Sequence, residues 1–148
     1  MPGQTPHPTR TPEGHSYVEG SPAGPALPDL NNSDPLACEQ FLFGIDLFND
    51  HFWWECHEAM EGLWHVAGRG SPAGHTLQAV IQCAAAHLKV LQGNFQGAHL
   101  LFAHAEQHVA WAEGGDLGLD LIGMLAETGA YITGDTDASA ILLLKADQ

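Results

Sequence analysis

FWWECHEAMEGLW, residues 52–64, places three Trp, one His and three Glu within less than four turns of predicted helix. Side chains spaced by three or four residues share a helix face. On a helical wheel, Phe52, Cys56 and Leu63 fall on one apolar stripe, and the three glutamates occupy the other arc. The stretch therefore predicts an amphipathic helix that packs on a core along one face and presents carboxylates along the other.

The rest of the globular region shows helical periodicity and no alternation typical of a strand. Capping residues, Pro and Gly divide it into segments. The predicted helices run from about 35 to 49, over the quoted stretch, from 76 to 92, from 95 to 111, from 120 to 134 and from 137 to 145, with a loop at 67–74. The short turn at Gly93-Asn94 makes the third and fourth helices an antiparallel pair. We predict an all-α fold, a compact bundle of about five to six helices built from antiparallel pairs.

Residues 1–33 are predicted to form a flexible tail, and residues 34–148 a single helical domain. The first 33 residues hold seven of the nine Pro and show no apolar period. Such a segment cannot bury enough apolar surface to offset the entropy that is lost on ordering. The remaining residues are enough for one hydrophobic core.

The chain is strongly acidic, with a formal net charge of -14 from eighteen acidic and four basic residues. So few cations cannot neutralise phosphate groups, which argues against nucleic acid and anionic membrane surfaces as partners. No stretch reaches the roughly 18 apolar residues of a membrane span, and the N-terminus has no signal-peptide pattern. Cys38, Cys56 and Cys83 form no CxxC pair and lie among apolar neighbours, which is typical of buried free thiols in a reducing compartment. We predict a cytoplasmic protein.

The candidate chemical site consists of the glutamates and the histidine of the opening stretch. A histidine and a carboxylate one helical turn apart, like His57 and Glu61, can supply two metal ligands or act in general acid-base catalysis. On the wheel these two border the core, Glu58 comes next and Glu55 lies farthest away. We predict His57, Glu58 and Glu61 as catalytic residues and as ligands of a divalent metal. The simpler alternative is a solvated acidic face on which His57 makes one hydrogen bond.

Further groups could complete this site from the third helix. His87 lies at the centre of that helix's apolar face and is the predicted additional metal ligand, provided that it faces His57. The predicted pocket wall consists of Trp53, Trp64, Gln78 and Gln82. Aromatic side chains around ionisable groups reduce their solvation and shift pKa values in the way functional sites do.

A second histidine pair stands at the i, i+4 spacing on the fourth helix. His104 and His108 flank Glu106, but HAEQH is not the HExxH motif of zinc proteases, because this glutamate projects to another helix face. We predict a solvated surface for this pair, with adventitious capture of nickel or zinc as the other possibility.

Several short motifs resemble one family. They are LFN at 47–49, ECHE at 55–58, Glu61, Trp64, LQ at 77–78, IQ at 81–82, AAA at 84–86, GN at 93–94 and GA at 97–98. Over about residues 40–105 the chain resembles domain of unknown function 309, small bacterial and archaeal proteins with a signature similar to FNxGxFFEAHExLExxW, LQGLIQxAAA and GNxxGA. It departs from that signature at His51, where Gly is usual, at Phe52, where a polar residue is usual, and at Cys56, where Ala is usual. The resemblance implies a compact all-helical fold and the same Glu and His site residues, but no reaction.

Two functions remain open from the sequence. The preferred one is a pocket on the second helix that binds a divalent metal or a small polar ligand, with metal-assisted hydrolysis as a conceivable use. The alternative is a non-catalytic helical interaction module, in which His57 and Glu61 form a structural buried polar network. Exposed aromatic residues favour a homodimer in either case.

Overall fold

The computed structural model describes residues 27–145, and this part of the chain is all-α, as predicted. A 3-10 helix, Pro35–Ala37, precedes five α-helices. They are α1 Glu39–Asn49, α2 Trp53–Ala67, α3 Pro72–Leu91, α4 Phe95–Ala112 and α5 Leu121–Thr133. Within residues 27–145 the extended pairing is limited to one isolated antiparallel bridge, between Leu119 and Leu144. Of the helices described, none is both long and apolar enough to cross a membrane.

Side-chain caps set the starts of the helices. Asp34 accepts a hydrogen bond from Leu36 N at 3.0 Å, but its cap begins the 3-10 helix, so α1 starts later than predicted, at Glu39. Ser71 Oγ accepts from Gly74 N at 2.9 Å and Pro72 follows as the first helical residue. The predicted start of α3 near residue 76 was therefore wrong by one turn.

The corner between α1 and α2 follows the prediction. Helix α1 ends at Asn49, and His51 adopts a left-handed conformation with φ of 71°. Such a φ is uncommon for residues other than Gly, although His is among those that tolerate it better. The turn lets α2 fold back on α1, and Gly44 of α1 lies against Met60 of α2 at the point where they pack.

The predicted last helix, from 137 to 145, is absent from the described structure. These residues are irregular, because their backbone groups bond to distant parts of the chain in place of an i−4 ladder. Asn49 accepts from Leu142 N at 2.7 Å and donates to Leu142 O at 2.9 Å. Ala140 and Leu142 are buried while Ile141 and Leu143 are half exposed, which is the period of an extended segment.

The core lies between α1, α2 and α3, with α5 and the 134–145 segment closing it from the other side. Its largest buried side chains include Phe41, Phe48, Met60, Leu63, Leu77 and Met124. Helices α3 and α4 form the predicted antiparallel pair. The three cysteines are buried and free, as predicted, and burial raises the pKa of the Cys83 thiol to about 12.

Residues 1–26 of the predicted tail lie outside the described residues. Among the described residues before position 34, Leu30 is only 3% exposed and packs in the core. Asn31 donates to Ala67 O at 3.0 Å and accepts from Ala73 N at 3.0 Å. This one side chain therefore joins the end of α2 to the start of α3.

Candidate functional site

The register between α2 and α3 decides which candidate residues meet. At one end the Trp53 and His87 rings stack, with centroids 4.2 Å apart. At the other end Asn31 bonds to both Ala67 and Ala73. Because both helices rise about 1.5 Å per residue, these two fixed points define the level of every residue between them.

The antiparallel register places the predicted site residues of the two helices at similar levels along the helix axes. His57 is level with the segment next to Gln82, and Glu61 is level with the segment next to Gln78. Around α2, Trp64 and His57 lie about 20° and 40° from Trp53, and Glu61 about 80°. All of these side chains except Trp53 are half-buried. We take these residues as the candidate site and call it the α2–α3 groove: His57, Glu61, Trp64, Gln78 and Gln82.

Glu55 and Glu58 are farther from this groove. They project about 200° and 140° from Trp53 around α2. Both are half-buried and already interact with other groups of the protein. The three glutamates of the motif therefore do not form one cluster, and Glu61 is the carboxylate of the groove.

His57 and Glu61 face each other across one helical turn without a hydrogen bond. His57 Nε2 and Glu61 Oε2 are 3.9 Å apart, and their side chains are 24% and 42% exposed. This distance exceeds a hydrogen bond, so the two groups attract only weakly. The Trp54 ring stacks on His57 at 4.9 Å and is itself 50% exposed, which leaves an aromatic surface at the rim of the site.

Three buried polar atoms around the groove have no hydrogen-bond partner within residues 27–145: His57 Nδ1, Trp64 Nε1 and Gln82 Oε1. Gln82 donates through Nε2 to Gln78 Oε1 at 2.9 Å, which leaves its own oxygen unused. Most buried polar atoms in native proteins are paired, and each one left unpaired costs about 1–3 kcal/mol. These three buried atoms are a donor, an acceptor and one imidazole nitrogen that can serve as either.

His87 is a buried residue of the core, and both of its ring nitrogens are hydrogen-bonded. It is fully buried, its Nδ1 donates to Cys83 O at 2.8 Å, and its Nε2 accepts from Ala140 N at 3.1 Å. Burial lowers the pKa of His87 to about 4, against the opposing effect of the Cys83 bond. Both nitrogens of the neutral ring are in use, and it stacks on Trp53 and Tyr131. The geometry gives no support to the predicted role of His87 as a metal ligand beside His57.

Residues 27–145 contain no group of three or more His, Cys, Asp or Glu side chains arranged to hold a metal ion. An open depression of about 500 Å³ lies between α4 and α5, lined among others by Phe102, Leu125 and Thr133. None of the predicted site residues lines it, so it is separate from the α2–α3 groove.

One histidine contact was missed from the sequence. His75 Nδ1 of α3 and His108 Nδ1 of α4 are 3.1 Å apart, and the Trp111 ring lies 5.4 Å and 5.6 Å from the two imidazoles. The predicted loop at 67–74 and late start of α3 left His75 at the helix boundary. The signal was Ser71-Pro72, a cap followed by Pro, which places His75 in the first turn of α3.

Comparison with known families matches residues 41–101 to Domain of unknown function (DUF309). The resemblance seen in the sequence motifs is thereby confirmed over this stretch. The matched segment contains α2 and α3 in full, and with them every residue of the α2–α3 groove. A search of curated proteins gave no match to the chain.

Proposed function

We propose that the α2–α3 groove binds a small polar molecule. The observation that carries this proposal is the set of three buried, unpartnered polar atoms on two adjacent helices. Binding sites for small molecules combine apolar and aromatic walls with a few polar groups that fix orientation. Here Trp54 and Trp64 supply the aromatic walls. A ligand that hydrogen-bonds to the unpartnered atoms removes the free-energy cost of leaving them unpaired.

The polar groups define the class of ligand. The indole N–H of Trp64 requires an acceptor on the ligand, and Gln82 Oε1 requires a donor. Glu61 adds a partly exposed carboxylate, which favours an amine, an amide or a hydroxyl group. A net charge of -14 disfavours anionic ligands. A neutral or cationic molecule with both donors and acceptors fits best.

Catalysis is the extension of this proposal. His57 could move a proton at the ligand, with Glu61 stabilising the imidazolium across the 3.9 Å separation. Glu58 would act only if its side chain left its present interactions. A divalent metal at His57, Glu58 and Glu61 draws support only from the spacing of His57 and Glu61, so we place metal-assisted hydrolysis behind ligand binding.

The alternative function is an interaction module, favoured by the half-exposed rings of Trp54 and Trp111. This alternative assumes that His57 and Glu61 form a buried polar network. The two side chains are partly exposed and 3.9 Å apart, whereas the groups of such a network are buried and hydrogen-bonded. A homodimer and a cytoplasmic location remain proposals. Sedimentation of the full chain over a range of concentrations tests the dimer.

Thermal shift against a library of neutral and cationic polar compounds tests ligand binding. A ligand at a hundred times its Kd stabilises the folded state by about 2.7 kcal/mol. That corresponds to a Tm rise of roughly 8–16 °C for a domain of this size.

Gln82→Leu removes one unpartnered atom with little change of volume, and Trp64→Phe removes the indole N–H together with part of the ring; each should weaken binding of a hit at least about tenfold. His99→Gln, on the exposed side of α4, is the matched control and should bind normally. Equal binding by all three variants would place the ligand elsewhere and refute the proposal. A library without hits, combined with higher stability of Gln82→Leu, would favour the interaction module.

A further inference from the structure

His75 and His108 bring two imidazole nitrogens together across the α3 and α4 contact. The two Nδ1 atoms are 3.1 Å apart, and the ring centroids 5.3 Å. Both side chains are half-buried, so the pair opens to solvent on one side. In the present state one ring donates its Nδ1 proton to the lone pair of the other.

The separation of the nitrogens also fits a shared metal ion. Zinc binds imidazole nitrogen at about 2.0–2.1 Å, so two nitrogens on one ion stand roughly 2.9 Å apart at a right angle and about 3.4 Å apart at the tetrahedral angle. The observed 3.1 Å lies between these two values. An ion could therefore bind with little movement of either helix, once the donating ring shifts its proton from Nδ1 to Nε2.

The two histidines are held on rigid elements. Thr76, next to His75, donates through its hydroxyl to Gly115 O at 2.6 Å, which ties the start of α3 to the turn after α4. A Cβ added at Gly115 would lie 2.6 Å from Pro72 Cβ, so the two segments are in close contact. Ligands fixed in this way lose little entropy on binding, which favours affinity.

We propose that His75 and His108 form a binding site for a divalent transition metal ion, separate from the α2–α3 groove. Imidazole nitrogens suit zinc, copper and nickel rather than magnesium or calcium. Both side chains are half-buried, so the remaining coordination positions are open to water. Trp111 packs against both rings and reports on the site.

Calorimetric titration of the untagged full chain with zinc tests the site, with nickel quenching of tryptophan fluorescence as a second measurement. We expect one ion per chain and a quench that is largely lost in Trp111→Phe. His75→Gln and His108→Gln should each weaken binding at least about tenfold. Acid should weaken it too, because protonated imidazole cannot bind a metal.

The controls separate this site from the other histidines. His99→Gln on α4 and the double variant His7→Gln and His15→Gln should both bind as the wild type does. Loss of binding in His104→Gln with normal binding in His75→Gln would overturn the proposal and assign the metal to the surface pair on α4. Absence of zinc binding to the wild type, with helical content intact by circular dichroism, would overturn it as well.

Discussion

The neutral, buried His87 makes stability depend on pH in a window that can be stated in advance. Its pKa is lowered to about 4 in the folded protein, and an unfolded chain titrates its histidines near about 6.5. Between these values the unfolded state binds more protons, so the free energy of unfolding falls as the pH decreases from neutrality. The contribution is fully present above the unfolded pKa and is lost progressively as pH falls toward the folded pKa.

The size of the effect follows from the two pKa values. Between pH 7.5 and 5.0, His87 alone should remove about 2 kcal/mol from the free energy of unfolding. Urea titrations followed by far-ultraviolet circular dichroism at several pH values measure this loss. His87→Phe keeps an aromatic ring against Trp53 but has no titrating group, so it should be less stable at neutral pH and lose about 2 kcal/mol less on acidification.

Two comparisons make this prediction refutable. The contributions of the other titrating groups cancel in the difference between wild type and His87→Phe, apart from any residual change in their surroundings. His108→Gln controls for the second histidine whose pKa is lowered, there by burial and by the neighbouring His75 and His104. If His87→Phe and the wild type lose the same stability between neutral pH and pH about 5, the buried ring is not the group that titrates, and the reasoning fails.

Two further predictions concern packing and the 134–145 segment. Gly44→Ala would place its Cβ 2.6 Å from Met60 Cε in the core. It should lower the free energy of unfolding by about 1 kcal/mol, because overpacking outweighs the gain in helix propensity from Gly to Ala. A variant that is more stable in urea titration would contradict this prediction. Asn49→Ala removes both side-chain bonds to Leu142, so it should cost about 1–3 kcal/mol and speed amide exchange at residues 140–145. Asn32→Ala, which loses only a local bond to Asp29, is the control, and equal exchange in both variants would refute the expected tether.

The parts of the fold that could be predicted depend on chemistry within a few residues of one another. Asp120 as a cap, Gly134 as a left-handed stop and the turn at Gly93-Asn94 appear in the structure where the sequence placed them. The start of α3 was missed because the Gly and Ser around Pro72 outweighed the cap and Pro signal. The last helix was wrong because Leu142 bonds to Asn49, a partner 93 residues away that no local pattern reveals.

The same limit applies to the candidate site. The helical wheel separates His57 and Glu61 from Glu55, because angular position around α2 depends only on residue spacing within that helix. Whether His57 meets His87 depends on the register between two helices. In the structure it is the Trp53 ring, and not His57, that stacks on His87. The position of Trp53 near His57 in the sequence did not predict this buried stack.

The hydrogen bonds from Ala140 to His87 and from Leu142 to Asn49 also affect when the core can fold during synthesis. Helices α1 to α3 leave the ribosome well before residues 140–142, which are 53 and 93 positions beyond their partners. Until then the His87 imidazole lacks the amide that it binds in the finished core. Contacts of such long sequence separation slow folding, so a nascent chain halted after α4 should expose this ring to solvent and remain open to proteases.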